Sequence, residues 1–378
     1  MIEIEDKSLC CGCMACVQKC PKSCIDIVED EEGFKYPKVR EAECIDCGLC
    51  ESVCQFKDKN KEREPIEVFA SKNLDEYERL ASSSGGIFSV LANYIIERNG
   101  IVFGARFRGD FTVVHDYIEH KESLHYLRGS KYLQSDIISV YKQVEAFLKK
   151  GRLVLFTGTP CQILGLKKFL KNKEKGLLCV DILCHGVPSP KVWKEYMDQN
   201  QLNTSDEITF RDKKTGWKNY SITFKDKGKD LLSQIYRDNI FMKGFLYDLY
   251  LRPSCYNCIA KSGKSESDIT IGDFWGSEEV CPGFDDDKGI SLVIINTEKG
   301  KSFFEKLQCE KINVKYSQAL KWNPAIIKPV GYSRKRQKFW DIFITKGVNQ
   351  AVLMLAHPSF KLKIKKIIIK ILSVLKIY

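Results

Sequence analysis

Hydrophobic residues at positions 66–320 form short runs separated by segments with helical periodicity. Four apolar runs predict buried strands, at residues 66–71, 101–107, 152–158 and 177–184. Apolar positions on one helical face predict helices at residues 87–98, 136–149, 162–171 and 190–199. Because strands alternate with helices, we expect an α/β body built on a mixed sheet.

Cysteines organise the first 60 residues instead. The run Cys10-x2-Cys13-x2-Cys16-x3-Cys20 recurs with each cysteine displaced by 34 residues, as Cys44-x2-Cys47-x2-Cys50-x3-Cys54. This repeat is typical of bacterial-type two-cluster ferredoxins, in which three cysteines of each run bind one [4Fe-4S] cluster and the fourth binds the other. The predicted ligands are Cys10, Cys13, Cys16 and Cys54 for one cluster, and Cys44, Cys47, Cys50 and Cys20 for the other.

Zinc is the competing interpretation of these cysteines, since CxxC pairs also form tetrahedral sites. The doubled run contains more thiols than two zinc sites need, which favours iron–sulfur clusters. Cys11 and Cys24 are left over. Gln55 stands where the first run has Pro21, and we expect it to shape the turn and to bind no metal.

Two further segments complete the N-terminal part. Between the runs, GFKYPKV (residues 33–39) alternates aromatic and basic residues and predicts a short hairpin. Residues 57–65 are charged and end at a proline, which predicts a linker at residues 61–65. Residues 1–60 contain 8 Lys+Arg and 13 Asp+Glu, whereas the rest of the chain has a balance of +16. The two parts can therefore attract each other or different partners.

The chain contains 17 cysteines, and their role depends on the compartment. Its first residues, MIEIEDKS, are acidic and lack the apolar core of a secretory signal. We therefore expect a cytoplasmic, reducing environment, in which clustered thiols are ligands or catalysts. The sequence contains no run of about 18 apolar residues, so we expect no membrane-spanning helix.

Two loops that join a predicted strand to a helix carry candidate chemistry. In SSSGG (residues 82–86), serines and glycines precede a helix, where hydroxyls and backbone N–H groups can form a phosphate cradle or a plain helix cap. In GTPC (residues 158–161), Cys161 lies in the first helical turn, where the helix dipole favours a thiolate.

Cys161 belongs to a third group of cysteines, drawn from three segments. Cys184 ends the next strand at the same edge of the sheet, and CYNC supplies Cys255 and Cys258. These four cysteines predict a third [4Fe-4S] site, with zinc as the alternative. The isolated cysteines are expected to be packing residues; they are Cys179, Cys281 and Cys309.

At this point the body resembles the beta subunits of coenzyme F420 hydrogenases and dehydrogenases. The matching segments, in chain order, are SSSGG (82–86), GSKYLQS (129–135), GTPCQILGLKKFL (158–170), CHGVPSP (184–190), CYNC (255–258), SDITIGDFWG (267–276) and DDKGISLVIINT (286–297). The resemblance implies an FAD-containing iron–sulfur oxidoreductase whose cluster ligands are Cys161, Cys184, Cys255 and Cys258. It also implies a flavin pocket formed by Ser83, Ser84, Gly85, Gly86, Ser130, Lys131, Tyr132 and Gln134. Asp273 of GDFWG is a further cofactor-binding candidate or a turn carboxylate.

Unlike the hydrogenase subunits, this chain carries its own ferredoxin domain. In that respect it is similar to ferredoxin-dependent hydroxymethyl-chlorophyll reductase and to clostridial or bacteroidal proteins associated with surface-polysaccharide synthesis. The resemblance implies that single electrons pass from the ferredoxin clusters through a third cluster to FAD, which can reduce an acceptor by hydride transfer. The acceptor stays open between coenzyme F420 and an organic substrate of polysaccharide metabolism, and the reverse direction is equally allowed.

Three residues are candidate proton donors for this reaction: His185, Lys131 and Tyr132. For His185, the alternative is a ring that only hydrogen-bonds near the cluster. A different class of function is a non-catalytic electron-transfer subunit that relays between a partner enzyme and a carrier. The expected partners are a ferredoxin, the deazaflavin coenzyme or a partner subunit, and no nucleic acid.

The predicted organisation has five consecutive parts. They are a ferredoxin domain (1–60), a linker (61–65), a flavin-binding region (66–150), a region with the third cluster (151–320) and a helical basic tail (321–378). The fold class is thus an α+β ferredoxin domain followed by a larger mixed-sheet α/β flavin and iron–sulfur domain.

Two segments of the tail have distinctive patterns. SRKRQKFW (residues 333–340) interleaves basic and aromatic residues, and we expect a solvated helix face rather than a nucleic-acid surface. Residues 361–378 contain six lysines and no acid, with apolar residues on one helical face. Such a helix suits peripheral contact with an anionic membrane, or packing on the body or on another subunit, including a second copy.

Overall fold

The computed structural model describes residues 1–57, 60–171 and 173–357. Its strands are β1 (Ile25–Glu29), β2 (Lys35–Val39), β3 (Glu67–Asn73), β4 (Ile101–Phe107), β5 (Val113–Ile118), β6 (Val154–Gly158), β7 (Leu177–Ile182), β8 (Glu207–Asp212), β9 (Ser221–Asp226), β10 (Lys229–Ile235), β11 (Ile269–Asp273), β12 (Ser291–Ile295) and β13 (Cys309–Asn313). Its α-helices are α1 (Ala15–Lys19), α2 (Leu49–Ser52), α3 (Glu76–Leu80), α4 (Ile87–Ile96), α5 (Leu124–Leu127), α6 (Val140–Lys149), α7 (Pro160–Leu170), α8 (Pro190–Gln199), α9 (Ile240–Leu246), α10 (Ser277–Val280), α11 (Glu298–Glu305), α12 (Tyr316–Trp322) and α13 (Arg336–Leu355). Short 3-10 helices connect several of these elements.

The body is the mixed α/β structure that the hydrophobic pattern predicts. Its eight-stranded sheet has the order β13-β3-β12-β11-β7-β6-β4-β5. The four neighbours β11, β7, β6 and β4 run parallel, and the flanking strands pair antiparallel. The predicted helix at 136–149 begins only at Val140, because Asp136 forms a bridge with Val114 beside β5. The parallel centre brings the carboxyl ends of its strands to one edge of the sheet.

Both faces of this sheet are buried. In β6, Val154 and Phe156 pack under α6 and α7, whereas Leu155 packs on the opposite face with residues of α4. A strand covered on both faces needs apolar residues at successive positions, which explains the continuous run of β6. A separate antiparallel sheet, β8–β9–β10, packs with α8, α9 and α13 around a second core rich in aromatic residues.

The short hairpin expected within residues 33–39 is wrong in its extent. Only Lys35–Val39 forms a strand there, β2, and its antiparallel partner is the preceding β1, with Ile25 opposite Val39. The turn lies before the aromatic segment because the Asp30 carboxylate accepts the N–H groups of Glu32 and Phe34.

The solvated helix face expected at residues 333–340 is present on one side of the segment, where Arg334, Lys335, Gln337 and Lys338 are exposed. This segment begins α13, and Arg336, Phe339 and Trp340 are buried. The Arg336 guanidinium pairs with the Glu32 carboxylate and donates to the Leu251 carbonyl oxygen at 3.0 Å. An ion pair with the N-terminal part therefore draws this basic residue inward.

The predicted amphipathic helix at residues 361–378 lies outside the described residues. Among the helices that are described, none combines the length and the apolar composition needed to cross a bilayer.

The dicluster part packs directly on the body. Met14, Ala15 and Val53 join the core formed by α6, α7 and the sheet. The Gln18 amide donates to the Ile137 carbonyl oxygen at 2.9 Å and accepts the Tyr141 N–H at 2.8 Å. Apolar packing and buried hydrogen bonds thus hold the two parts together.

Gly165 of α7 permits a close approach of the two parts. A Cβ atom at this position would lie 2.8 Å from the Cβ of Cys13 and 2.8 Å from the Tyr141 hydroxyl. We expect Gly165→Val to lower the free energy of unfolding by about 1–3 kcal/mol, because overpacking forces the cysteine loop away from the helix. Anaerobic chemical denaturation measures this change.

Gly109→Val is the matched control for that substitution, because nothing lies within 4 Å of a Cβ built at Gly109. We expect this control to stay within about 0.5 kcal/mol of the parent chain, as surface substitutions usually do. Equal effects of the two substitutions would contradict the close approach at Gly165.

Candidate functional site

The structure brings together the cysteines of the first predicted cluster, and we call this group the proximal site. It consists of Cys10, Cys13, Cys16 and Cys54. Burial, together with Cys13, Cys10 and Cys54, raises the pKa of the Cys16 thiol. Hydrogen bonding with Cys11 instead lowers the pKa of Cys13 to about 6. Thiols that share a site disfavour one another's ionisation, so these mutual effects identify the four as neighbours.

The second predicted set lies at the far end of the dicluster part, and we call it the distal site. It consists of Cys20, Cys44, Cys47 and Cys50, which line a small cavity of about 20 Å³ together with Cys24. The sulfur atoms of Cys20 and Cys24 are 3.5 Å apart. Cys47 is exposed, so this site has an open side toward solvent.

The third set meets in the body, and we call it the body site; it consists of Cys161, Cys184, Cys255 and Cys258. β6 and β7 are parallel neighbours, with Gly158 opposite Asp181, so the residues that follow them share one edge of the sheet. Cys255 and Cys258 come from the 3-10 helix Pro253–Asn257 and the residue that caps it. Burial raises the pKa of Cys184, and the other three thiols of the site add to this rise.

Local contacts fix the segments that carry the body site. Thr159 and Gln162 form a capping box at the start of α7, and the Thr159 hydroxyl lies 3.2 Å from the Cys161 sulfur. The Val187 N–H donates to the Cys255 sulfur at 3.4 Å, and the Lys261 ammonium donates to the Cys184 carbonyl oxygen. Within the described residues, no group of three or more His, Cys, Asp or Glu side chains is arranged to hold a single metal ion.

A cavity of about 290 Å³ opens beside the body site. The body-site cysteines line it, and so does the leftover Cys11 of the dicluster part. Most of the predicted flavin and proton-donor residues line it as well: Ser83, Ser84, Gly86, Ser130, Lys131, Tyr132, Gln134, Asp273 and His185. The structure therefore brings these residues and the third cysteine group to one place.

Gly85 is the flavin candidate that does not line the cavity. A Cβ atom there would lie 2.4 Å from the Ser71 carbonyl oxygen and 2.5 Å from the Ser291 nitrogen, so only glycine fits. Its neighbours hold the loop in place, because the Ser84 hydroxyl donates to the Ile290 carbonyl oxygen at 2.7 Å. Ser83 in turn accepts the Ser130 N–H at 2.7 Å, which joins the two predicted flavin segments.

Comparison with known families agrees with this arrangement. Residues 9–57 match the 4Fe-4S dicluster domain, and residues 151–318 match the family described as the C terminus of the coenzyme F420 hydrogenase/dehydrogenase beta subunit. The chain thus contains a domain of this beta-subunit family at residues 151–318 and a dicluster domain at residues 9–57. The family resemblance expected from the sequence is thereby confirmed.

Individual relatives match different parts of the chain. The coenzyme F420-dependent sulfite reductase of Methanocaldococcus jannaschii is 31% identical over 171 residues, which are 44% of this chain and 26% of the reductase. The chain thus spans about a quarter of the length of that relative. A ferredoxin of Mycolicibacterium smegmatis is 30% identical over 87 residues, which are 22% of this chain and 71% of the ferredoxin.

A solved structure, the xenon-derivatised F420-reducing [NiFe] hydrogenase complex of Methanosarcina barkeri, is also similar. One of its chains matches with a TM-score of 0.48 and 18% identity, over 67% of this chain and 84% of that chain.

At the cavity, Asp273 is held by hydrogen bonds to both of its carboxylate oxygens. One oxygen accepts from Arg211 at 2.6 Å, and the other accepts from the Trp217 indole at 3.2 Å. Arg211 is buried, also donates to the Tyr132 hydroxyl at 3.3 Å and lies over the Tyr220 ring. A paired carboxylate and an arginine therefore stiffen the cavity wall behind Tyr132.

His185 lies at the cavity beside Cys184, and its ring is oriented by an acid. The Nε2 atom of His185 lies 2.6 Å from the Asp248 carboxylate, and the ring packs edge-on against Phe245 at 5.1 Å. A carboxylate partner of this kind fixes the orientation of the ring. His185 is thus held in one position beside the cavity and Cys184.

His115 is a cavity residue that sequence reasoning missed. Its Nε2 atom is 2.7 Å from the Thr157 carbonyl oxygen, which can only accept, so Nε2 carries the hydrogen. Its Nδ1 atom lies 2.7 Å from the Ser135 hydroxyl, which also accepts from the Gln162 amide at 2.9 Å. Burial lowers the pKa of His115 to about 4, so this histidine is neutral and structural at physiological pH. A lone histidine in a strand gives no sequence signal for this network.

Arg252 is a second residue that sequence reasoning missed, and it joins the dicluster part to the body. Its side chain is 0% exposed. It donates to the Cys10 carbonyl oxygen at 2.8 Å, to the Lys35 carbonyl oxygen at 2.9 Å and to the Gln134 amide oxygen at 3.0 Å. The guanidinium also lies 4.4 Å from the centre of the Tyr36 ring. One buried positive charge therefore lies between the proximal site and the body site.

We expect Lys131 to react as a neutral amine near physiological pH. Burial, followed by the charge of Arg128, lowers the pKa of Lys131 to about 7, whereas a surface lysine titrates near about 10.4. Trace acylation and peptide mass spectrometry should give half-maximal labelling of Lys131 near pH 7. Between about pH 7 and about pH 10.4, Lys131 is protonated in the unfolded chain and neutral in the folded chain. The Lys131 contribution therefore makes the free energy of unfolding rise with pH across that window.

The matched variant for this prediction is Arg128→Met, which removes the like charge near Lys131. Its labelling curve should shift toward higher pH, because a neighbouring cation disfavours the charged amine. If Lys131 in the parent chain is labelled together with the surface lysines, its burial does not act on its ionisation and the prediction is wrong.

Proposed function

We propose that this chain is an iron–sulfur flavoprotein oxidoreductase. In this proposal, single electrons pass from two ferredoxin-type clusters through a third cluster to FAD, which reduces an acceptor by two electrons. The observation that carries the proposal is the convergence of the body-site cysteines with the serine, lysine and tyrosine residues of one cavity. One-electron and two-electron chemistry would then meet at a single place.

The donor sets fit the proposed clusters. Each of the three sites offers four cysteine thiols, and thiolates are the ligands that iron–sulfur clusters take. The cavity of about 290 Å³ is near the lower end of ligand pockets, about 300–1,000 Å³, a size that suits the flavin ring of FAD. When bound, the clusters supply one-electron transfer and the flavin supplies hydride transfer.

The residues of the cavity would divide the remaining work. Ser83, Ser84 and Ser130 offer hydroxyls and backbone N–H groups for hydrogen bonds to a cofactor or acceptor. Lys131 can give up a proton near neutral pH, because burial has lowered its pKa to about 7. His185, oriented by Asp248, is a second proton donor on the side of the body site.

The proposed acceptor is the deazaflavin coenzyme F420 or an organic substrate of polysaccharide metabolism. The proposed electron source is a soluble ferredoxin or a partner subunit, which would approach the open side of the distal site at Cys47. Electron flow in the opposite direction would use the same residues. The direction is set by the reduction potentials of the clusters, which span roughly −700 to +450 mV for clusters of this type.

The first test is anaerobic purification followed by quantification of iron, sulfide, zinc and flavin. About twelve irons, matched sulfide and one flavin per chain are expected, since each [4Fe-4S] cluster uses four cysteines. About eight irons without flavin would leave a ferredoxin domain on a body of another function. Zinc in place of iron would overturn the oxidoreductase assignment.

A non-catalytic electron-transfer subunit is the second candidate function. It is favoured by the relation to a family named for its beta subunits and by a relative of which this chain covers only 26%. The two candidates differ in what the purified chain does alone. Reduction of coenzyme F420 or a defined organic substrate without added subunits supports the reductase, and a strict requirement for a second protein supports the relay.

A further inference from the structure

Two residues that the cluster assignment leaves without a role meet between the proximal site and the body site. Cys11 is the extra cysteine of the first run, and Gln55 occupies the position where the first run has proline. The Gln55 side-chain nitrogen donates to the Cys11 sulfur at 3.2 Å and to the Cys161 carbonyl oxygen at 2.9 Å. One amide group therefore contacts both the dicluster part and a body-site residue.

The hydrogen-bonded pair Cys11 and Gln55 is linked to both the proximal site and the body site through few bonds. Gln55 is bonded directly to Cys54 of the proximal site, and its side chain reaches the body-site Cys161 through one hydrogen bond. Cys11 is bonded to Cys10 and lies two residues before Cys13. The route from one site to the other thus consists of covalent bonds and a single hydrogen bond.

The residues of this route are buried and are held by further hydrogen bonds. Gln55 is 1% exposed and Cys11 is 9% exposed. The Cys11 carbonyl oxygen accepts from the Gln134 amide at 3.0 Å, which holds the loop against the cavity wall. Cys11 also interacts with the thiols of both Cys13 and Cys161, and hydrogen bonding with these two thiols is the largest cause of its raised pKa.

Arg252 offers a second connection between the sites, but it is longer. It donates to the Cys10 carbonyl oxygen at 2.8 Å and to the Cys10 sulfur at 3.8 Å, and its own carbonyl oxygen accepts the Cys255 N–H at 2.9 Å. This route therefore includes a long side chain and two hydrogen bonds. Since electron transfer weakens as the connection lengthens, the Gln55 route is the more direct one.

We propose that Cys11 and Gln55 form the bridge through which electrons cross from the proximal site to the body site. The inference rests on the proposed function, because it requires a cluster at each site. In each crossing, the proximal cluster is oxidised by one electron and the body-site cluster is reduced by one electron. No bond is made or broken, no proton moves, and Cys11 keeps its thiol. Gln55 is a positioning residue for this step.

Gln55→Leu and Cys11→Ala test the bridge, each in the full chain purified anaerobically. Gln18→Leu is the matched control, since it also removes a buried amide that joins the dicluster part to the body, and this amide bonds to Ile137 and Tyr141 rather than to a cysteine. Cys24→Ala is the control for loss of an extra cysteine, because Cys24 lies beside the distal site. The readouts are iron content, the magnetic interaction between the two reduced clusters by EPR, and the rate of electron transfer between them after flash reduction.

We expect both bridge variants to keep about twelve irons and to slow the transfer by about 10- to 100-fold, the usual effect of removing an outer hydrogen bond at a metal site. The control variants should stay within about twofold of the parent chain, because they leave both Gln55 hydrogen bonds, to Cys11 and to Cys161, in place. The EPR interaction should change in the bridge variants alone.

The result that overturns the bridge is a parent-like rate in both bridge variants. An equal slowing by Gln18→Leu would overturn it as well, since docking alone would then explain the effect. If Gln55→Leu loses iron through its neighbour Cys54, the rate of Cys11→Ala decides. A parent chain with about eight irons would overturn the proposed function itself, and that count is obtained before any variant is compared.

Discussion

Replacing Cys184 with serine is expected to remove about four of about twelve irons from the anaerobically purified chain, since one [4Fe-4S] cluster needs four thiolates. Cys184 is surrounded by the other three cysteines of the body site, and their thiols contribute to its raised pKa. A serine hydroxyl is a poor replacement for a soft thiolate ligand. Loss of this cluster should also stop electron transfer to the flavin, while the two dicluster signals stay in the EPR spectrum. Iron analysis and EPR of the reduced chain measure these effects.

Cys309→Ser is the matched control for this change. Cys309 lies at the start of the edge strand β13 and packs against the core beneath α4 and α11, away from the three cysteine sites. The Cys309→Ser chain should keep all of its iron, because Cys309 is not among the predicted ligands. Equal iron content in Cys184→Ser and Cys309→Ser would show that the body site holds no cluster.

Replacing Arg252 with methionine is expected to lower the free energy of unfolding by about 3–5 kcal/mol. Three hydrogen bonds to a charged group are lost, at about 1.5–3 kcal/mol each, and part of this loss is offset because the charge no longer has to be buried. The Cys10 and Lys35 carbonyl oxygens would be left without this donor in a buried place. Anaerobic chemical denaturation followed by visible absorbance measures the change.

The same substitution should lower the reduction potential of the proximal site, because a positive charge beside a cluster stabilises its reduced, more negative form. Arg237→Met is the control, since Arg237 is exposed and lies over the Tyr236 ring. It should change the free energy of unfolding by no more than about 0.5 kcal/mol and leave the potential unchanged. A stable Arg252→Met chain with an unchanged potential would mean that the arginine neither joins the two parts nor influences the cluster.

Much of the fold was predictable because its signals are local. The strands at residues 101–107 and 177–184 are apolar runs that needed no knowledge of their neighbours, and the structure has β4 and β7 there. The hairpin at residues 33–39 was misjudged because its first strand, β1, has only a weak alternation and the turn depends on Asp30. The burial of Arg336 at the start of α13 had no local signal, because it depends on pairing with Glu32, a residue 304 positions away.

In the candidate site, too, the features with a local sequence signal were predictable and those that depend on distant residues were not. Cysteine spacing predicted which thiols can share a cluster, since a short loop must wrap several ligands around one group. The strand-to-loop pattern predicted that Cys161 and Cys184 lie at one edge of the sheet, because parallel neighbours end together. The cavity network of His115 and the roles of Cys11 and Gln55 had no such signal.

By itself, the sequence of this protein determined the dicluster motif, the α/β body and the family resemblance, and it predicted three cysteine groups, because spacing and periodicity are local properties of a chain. Only the tertiary structure decided how the dicluster part sits on the body. It places Gly165 against Cys13, Arg252 against Cys10, and Gln55 between Cys11 and Cys161. These contacts join residues distant in the chain, and their energies come from packing and buried hydrogen bonds that exist only once the chain has folded.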